Sequence, residues 1–206
     1  LEEANLILNF GHSSDMLARE GEESVNSLLT KKLVDFVKEL DATRPVTAGC
    51  NEPNSGNHLF RSGALDVIGY NYHNKDIPNV PANFPDEPFI ITESNSALMT
   101  RGYYRMPSDR MFIWPERWDK PFVDSTFACS SYENCYVPWG NTHEESLKLV
   151  RDNDFISGQY VWTGFDYIGE PTPYGWPARS SYFGIVDLAG FPKDVYYLYQ
   201  SEWTDK

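Results

Sequence analysis

The chain has 206 residues, 41% hydrophobic and 15% aromatic, which is enough for one sizeable core and free of the compositional bias of disordered chains. Its 17 basic and 30 acidic residues leave a formal net charge of -13, so it repels phosphate backbones and anionic lipid, and neither nucleic acid nor membrane is an expected partner. No run approaches the roughly 18 apolar residues of a spanning helix, and the opening "LEEANLILNF" lacks the basic-then-apolar layout of a signal peptide.

The first element in chain order is "EESVNSLLTKKLVDFVKELD". Val25, Leu28, Leu29, Leu33, Phe36, Val37 and Leu40 recur with helical period, Glu22 and Glu23 sit at its start and Lys38 near its end. This predicts an amphipathic helix. "TRPVTAGC", entered through Pro45, then "LDVIGYNYH" and "PFIITES" read as strands bounded by turn residues. A linker of nearly fifty residues follows, holding Tyr103, Tyr104, Phe112, Trp114, Trp118, Phe122, Phe127, Tyr132, Tyr136 and Trp139. Loops of that length are uncommon in compact domains, so this one is expected to wall a pocket. A helix at about 142–153 begins with Thr142-x-x-Glu145, a capping box. "FISGQYVWTGF" is the fourth strand, a Gly/Pro-rich aromatic loop follows it, and a helix near 192–203 closes the segment.

The four strands are continuous apolar runs without strict alternation, the pattern of strands buried on both faces of a parallel sheet. The expected fold class is α/β, the C-terminal half of a (β/α)8 TIM barrel, strands 5 to 8, because a closed barrel takes about 250 residues and eight strands. An isolated half leaves two edges unpaired, so upstream sequence or a partner is expected to cover them. The carboxyl ends of the strands deliver Asn51 and Glu52, then Asn71, Tyr72 and His73, then Glu93, then Trp162 and Asp166. Such a rim suits a sugar: aromatic faces stack on its C–H face while amides and carboxylates take its hydroxyls. A lone glutamate ending a strand is as readily a helix cap or an ion-pair partner, and single aromatics of the linker are as readily packing residues. Cys50, Cys129 and Cys135 are odd in number; a Cys129–Cys135 bridge or three thiols both fit, and no pair has zinc-site spacing. No metal or other cofactor is expected.

"DATRPVTAG", "LDVIGYNYH", "PFIITES" and "GQYVWTGFDYIGEPTPYGWPARSSYFGIVDLAGFPKD", in this order and spacing, resemble the C-terminal half of the catalytic barrel of glycoside hydrolase family 2, β-galactosidase-type members above all. The resemblance covers about 22–203. It implies that residues 1–206 are a partial barrel of a larger multidomain glycoside hydrolase, whose remaining N-terminal half-barrel and β-sandwich domains are partners of this segment. It also implies a retaining exo-acting β-glycosidase, with Glu93 as nucleophile and Tyr72 hydrogen-bonded to it. Trp162 would lie under the sugar, with Asn71, His73 and Asp166 binding substrate; a glycan-degrading bacterium could hold such an enzyme in periplasm or cytoplasm.

The Asn51-Glu52 pair invites comparison with the family's acid/base glutamate. One strand separates Glu52 from Glu93 where the family has its acid/base three strands before the nucleophile, so the acid/base is expected upstream of Leu1 and the segment alone is expected to be inactive. Residues 170–185 contain no Lys, so the Asn-x-Lys pair of β-glucuronidases is missing and a neutral sugar is favoured, although Arg179 suits an anionic substituent such as sulfate. Ser94, Asn95 and Ser96 stand where the family often has a Tyr or His after the nucleophile. The alternatives are a non-catalytic carbohydrate-binding or interaction fragment, and a β-mannosidase or β-glucuronidase specificity.

Overall fold

The computed structural model describes residues 23–115 and 129–205. Trp118, Phe122 and Phe127 of the aromatic linker, and Glu22 before the first helix, lie outside the described residues. The fold is α/β with parallel strand pairing. Two compact units are formed, the first from the described residues up to Glu93 with Leu149–Gln159, the second from Ser94–Lys148 with the described residues from Tyr160 on.

The first helix, α1 (Val25–Leu40), is capped by the Ser24 side chain, which accepts from Ser27 N–H. It packs on the short helix α2 (His58–Arg61) through small and polar groups: Ser27 Oγ donates to His58 O, and Ser27, Thr30 and Val34 are the buried residues. Its apolar stripe is turned away from the described body, with Val25 79%, Phe36 58% and Leu40 76% exposed. Residues 27, 30 and 34 lie one helical turn apart on nearly the opposite side of the cylinder from residues 25, 29, 36 and 40, so one face can be buried without the other.

Strand β1 (Ile68–Asn71) pairs in parallel with β2 (Phe89–Asn95), and β5 (Ile156–Trp162) completes the order β1-β2-β5. The first unit's core lies around β1 and the start of β2, where Tyr70, Phe89, Ile91, Ile77 and Val80 are fully enclosed. Tyr70 and Phe89 meet edge to face with centroids 5.1 Å apart. "TRPVTAGC" forms only a single parallel bridge, Cys50 to Tyr70, instead of a strand. Its backbone runs beside β1, with Asp66 N–H donating to Val46 O and Asn71 N–H to Cys50 O, and side chains add to the pairing: Asp66 Oδ2 accepts from Val46 N–H and Thr47 Oγ1 donates to Val67 O. Gly69 is required at this crowded passage, because a Cβ there would stand 2.6 Å from Ala48 O.

In the second unit the aromatic linker is not structureless. Strands β3 (Phe112–Ile113) and β4 (Cys135–Tyr136) pair within it, and Phe112, Trp114 and Trp139 pack against Leu98, Val137, Tyr174 and Phe183. These aromatics fill a core instead of walling a pocket, whereas Tyr103 and Tyr104 are exposed. Cys50, Cys129 and Cys135 are all free thiols. Helix α3 (His143–Arg151) starts with the expected capping box: Glu145 N–H donates to Thr142 Oγ1 and Thr142 N–H to Glu145 Oε2. Helix α4 (Asp194–Trp203) buries Val195 and Tyr199.

Candidate active site

The carboxyl ends of β1 and β2 meet in the first unit. Their register pairs Asn71 with Glu93 and shifts between Tyr70 and Asn71. Beyond that irregularity Tyr72 and His73 both take the left-handed backbone, φ 57° and 58°, a conformation costing a non-glycine residue of order 1 kcal/mol and held only where the surroundings impose it. Here the turn folds Tyr72 back onto the neighbouring strand. Its N–H donates to Glu93 O at 2.6 Å, and its hydroxyl hydrogen-bonds the Glu93 carboxylate.

Glu93 is half-buried. Burial pushes its carboxyl above the usual carboxylate range, and the Tyr72 hydrogen bond pulls the other way by favouring the charged form. Among the described residues no Lys, Arg or His forms an ion pair with it. Asn71 is buried and its Oδ1 accepts from Thr92 Oγ1 at 2.7 Å, which fixes the amide's orientation. A Cβ at position 49 would stand 2.7 Å from the same oxygen, so Gly49 makes room for Asn71. His73 is pinned from both sides: Nε2 donates to Asn51 O at 2.7 Å, and Nδ1 lies 3.4 Å from Asp76 Oδ2. The neighbouring Glu52 serves a turn, its carbonyl accepting from Asn54 N–H and Cys50 Sγ. Asn71, Tyr72, His73 and Glu93 are thus brought together as the sequence suggested.

Trp162 and Asp166 belong to the second unit. The Trp162 ring is partly buried against Tyr167, centroids 6.1 Å apart. Asp166 is not an open rim carboxylate, which corrects its expected part in holding a sugar hydroxyl. Its side chain is 4% exposed, and Oδ1 accepts from Lys193 Nζ at 2.7 Å and Gly184 N–H at 2.8 Å. Burial raises the Asp166 carboxyl and lowers the Lys193 ammonium, while their contact opposes both. Lys193 also donates to Met99 O and Tyr182 O, so one ammonium ties the segment after β2 to the loop after β5.

Sequence reasoning missed Lys193, since a lysine beginning a helix reads as a solvated charge. It also missed what Ser94 and Asn95 do. Asn95 Nδ2 donates to Ser94 Oγ and to Tyr199 Oη, and Tyr199 Oη contacts His143 Nδ1 at 2.7 Å. Burial holds His143 neutral, its pKa lowered to about 3. Both Asn95 and Ser96 have positive φ, a second pair of left-handed residues just beyond Glu93. The short polar run after an apolar strand was the one available signal for it.

Among the described residues no cluster of His, Cys, Asp and Glu is arranged to hold a metal ion, and no helix is long and apolar enough to cross a membrane.

No family model matches the sequence. The whole chain is 95% identical, over 206 residues, to the beta-galactosidase BoGH2A of Bacteroides ovatus, of which it covers 24%. Over 219 aligned positions, 95% of this chain, it is 31% identical to a putative beta-glucuronidase of Formosa agariphila, of which it covers 20%. The chain thus spans about a quarter or less of the length of these relatives. Its structure is similar to that of a beta-glycosidase from Bacteroides vulgatus, with a TM-score of 0.70 and 32% identity over 87% of this chain and 24% of that one. A glycosyl hydrolase family 2 member from Bacteroides cellulosilyticus aligns at 25% identity and a TM-score of 0.55, over 90% of this chain and 20% of that one.

Proposed function

The chain belongs to glycoside hydrolase family 2, and on that footing we propose that it supplies the nucleophile side of a retaining, exo-acting β-galactosidase site within a longer protein. In this reading the described strands are part of the C-terminal half of a (β/α)8 barrel, and the remainder of the parent chain provides the other half, the acid/base and further domains. The near-identity to a beta-galactosidase supports the sugar class, as does the absence of Lys from residues 170–185.

The observation that carries the mechanism is the hydrogen bond from Tyr72 to a half-buried Glu93 that has no cationic partner among the described residues. Glu93 is held by a neutral donor, which steadies the anion yet leaves its lone pairs reactive. Ionised, one Glu93 oxygen attacks the anomeric carbon. The bond to the leaving oxygen breaks as that oxygen takes a proton from the acid elsewhere in the parent, giving a glycosyl-enzyme ester. Water, deprotonated by the same group, then attacks the anomeric carbon and releases Glu93. Tyr72 orients the carboxylate throughout. Asn71, with its amide fixed by Thr92, is assigned to substrate hydroxyls. His73 has one ring nitrogen committed to Asn51 O, which suits it to shaping the site around Asn71 and Tyr72. Trp162 is assigned the stacking face for the sugar, and Asp166 acts through Lys193 as a positioning residue for the loop that follows Trp162.

The test uses the parent protein and a 2-deoxy-2-fluoro-β-galactoside. A retaining enzyme with this nucleophile carries the added mass on the peptide containing Glu93, and Glu93→Gln abolishes labelling and lowers kcat on the order of a thousandfold or more. Mass on another residue, or turnover by the Gln variant close to that of the unaltered protein, sinks the assignment. Parallel assays with β-glucuronide and β-mannoside decide the specificity.

A further inference from the structure

The residues that follow Glu93 are polar and fully enclosed: Ser94 and Asn95 are 0% exposed, His143 likewise, and Tyr199 3%. Buried polar groups have to find their partners inside the fold. Here the Asn95 amide is the hub. One of its hydrogens goes to Ser94 Oγ at 2.7 Å, and that hydroxyl donates in turn to Tyr160 O at 3.2 Å. The other goes to Tyr199 Oη at 3.2 Å, and the Tyr199 hydroxyl donates to Nδ1 of His143, kept neutral by burial, at 2.7 Å. Turning the amide over would set its oxygen against two hydroxyls whose protons are already committed, so the arrangement has one solution.

The backbone of Asn95 is held as firmly. Its N–H donates to Asn141 Oδ1 at 3.1 Å, its carbonyl accepts from Asn141 N–H at 2.8 Å, and a Cβ at position 140 would stand 2.3 Å from that carbonyl oxygen. In this cradle Asn95 and Ser96 take φ 78° and 54°, a backbone that persists in non-glycine residues only where the surroundings impose it. Two helices supply the surroundings, since His143 begins α3 and Tyr199 lies within α4.

These groups all belong to the second unit, and they reach the nucleophile through the chain itself: β2 runs unbroken from Phe89 to Asn95, two residues beyond Glu93. The chemical steps make no use of them. A polar chain in a core is harder to satisfy than apolar packing, and when satisfied it specifies one geometry.

We propose that Tyr199 and His143 are positioning residues for the nucleophile: through Asn95 they hold the left-handed turn that ends β2, and with it the backbone from which the Glu93 carboxylate projects. This rests on the retaining β-galactosidase reading above and deepens it. A misplaced nucleophile loses rate far more than affinity, so the effect belongs to kcat.

The experiment uses the parent protein and an aryl β-galactoside. Tyr199→Phe removes one hydroxyl and keeps the ring; it is expected to lower kcat about tenfold with KM within about twofold, and to slow labelling by the 2-deoxy-2-fluoro-β-galactoside by the same factor. The same change is then made in Glu93→Ala with azide supplied. Azide forms the bond to the anomeric carbon in place of the carboxylate, the aryloxide leaves, and α-galactosyl azide results. That rate does not depend on where residue 93 stands, so Tyr199→Phe leaves it within about twofold. His143→Asn, which keeps an acceptor near the Nδ1 position, retains kcat within about threefold, whereas His143→Leu shows the tenfold loss; this pair decides the matter where Tyr199→Phe fails to fold. An equal loss in the azide reaction means that Tyr199 only stabilises the fold, and overturns the proposal. So does an unchanged kcat in folded Tyr199→Phe, or equal activity of the two His143 variants. Fluorosugar mass away from Glu93 in the unaltered protein removes the nucleophile reading and the positioning role together; mass on Glu93, gained at an unchanged rate in Tyr199→Phe, removes the positioning role alone.

Discussion

Glu93 is under two opposed influences, and their balance gives its pH behaviour. Burial raises the pKa and the Tyr72 hydroxyl lowers it. Removing the hydroxyl in Tyr72→Phe leaves burial unopposed, so the acid limb of kcat/KM is expected to move to higher pH, with kcat falling about tenfold to a hundredfold and KM changing little. A pH profile of the parent protein reads this directly; an unmoved limb removes Tyr72 from the site. The same raised pKa has a cost in stability. For a carboxyl whose folded pKa lies above its unfolded value, the favourable contribution is present below the unfolded pKa and lost as pH rises through the folded one. At neutral pH the ionised Glu93 therefore destabilises the fold. Glu93→Gln is expected to raise Tm at pH 7 and to lose that advantage at pH 4, measured by scanning calorimetry at the two pH values. No gain at pH 7 contradicts the burial that underlies the assignment. The left-handed pair Tyr72 and His73 was not read from the sequence; it stands where the register with β2 shifts.

At the scale of elements, local signals succeeded where they were self-contained. The Thr142-x-x-Glu145 box needs only four consecutive residues, and it formed as written. Thr142→Ala is expected to cost about 1 kcal/mol, read as a lower urea midpoint with an unchanged slope. Strand β2 was legible because a short apolar run bounded by turn residues reads as a strand, and its Phe89 and Ile91 are fully enclosed. "TRPVTAGC" carries the same signature and forms only one bridge: Asp66 Oδ2 takes the Val46 N–H, and the run's own Thr47 donates its hydroxyl to Val67 O. Helix α1 was legible in type but not in facing. Its stripe fixes which residues share a side, but which side is covered depends on what packs there, and α2 meets Ser27, Thr30 and Val34.

Over the whole molecule, the uncovered stripe of α1 and the Gln159 amide point the same way. Neither the oxygen nor the nitrogen of Gln159, on β5, has a hydrogen-bond partner among the described residues, although both atoms are buried. Unpaired buried amides and apolar helix faces are corrected in nature by further structure. The remainder of the parent protein fills that role in the half-barrel reading. Leu29→Lys with Phe36→Lys is accordingly expected to lower Tm by several degrees in the parent, yet to make the isolated segment less prone to associate, measured by calorimetry and by light scattering. Equal Tm in the parent means that this face stays in water and that the half-barrel completion lies elsewhere.

The sequence by itself determined the α/β grammar, the helix starts and the placing of Asn71, Tyr72, His73 and Glu93 at the ends of adjacent strands, because period and chain order are local properties. The tertiary structure alone decided which face of α1 is buried, that Asp166 is locked onto Lys193, and that Tyr72 and His73 take the left-handed backbone. Each of these depends on which distant group occupies the same few ångströms, and partnership across a fold is written in no single stretch of chain.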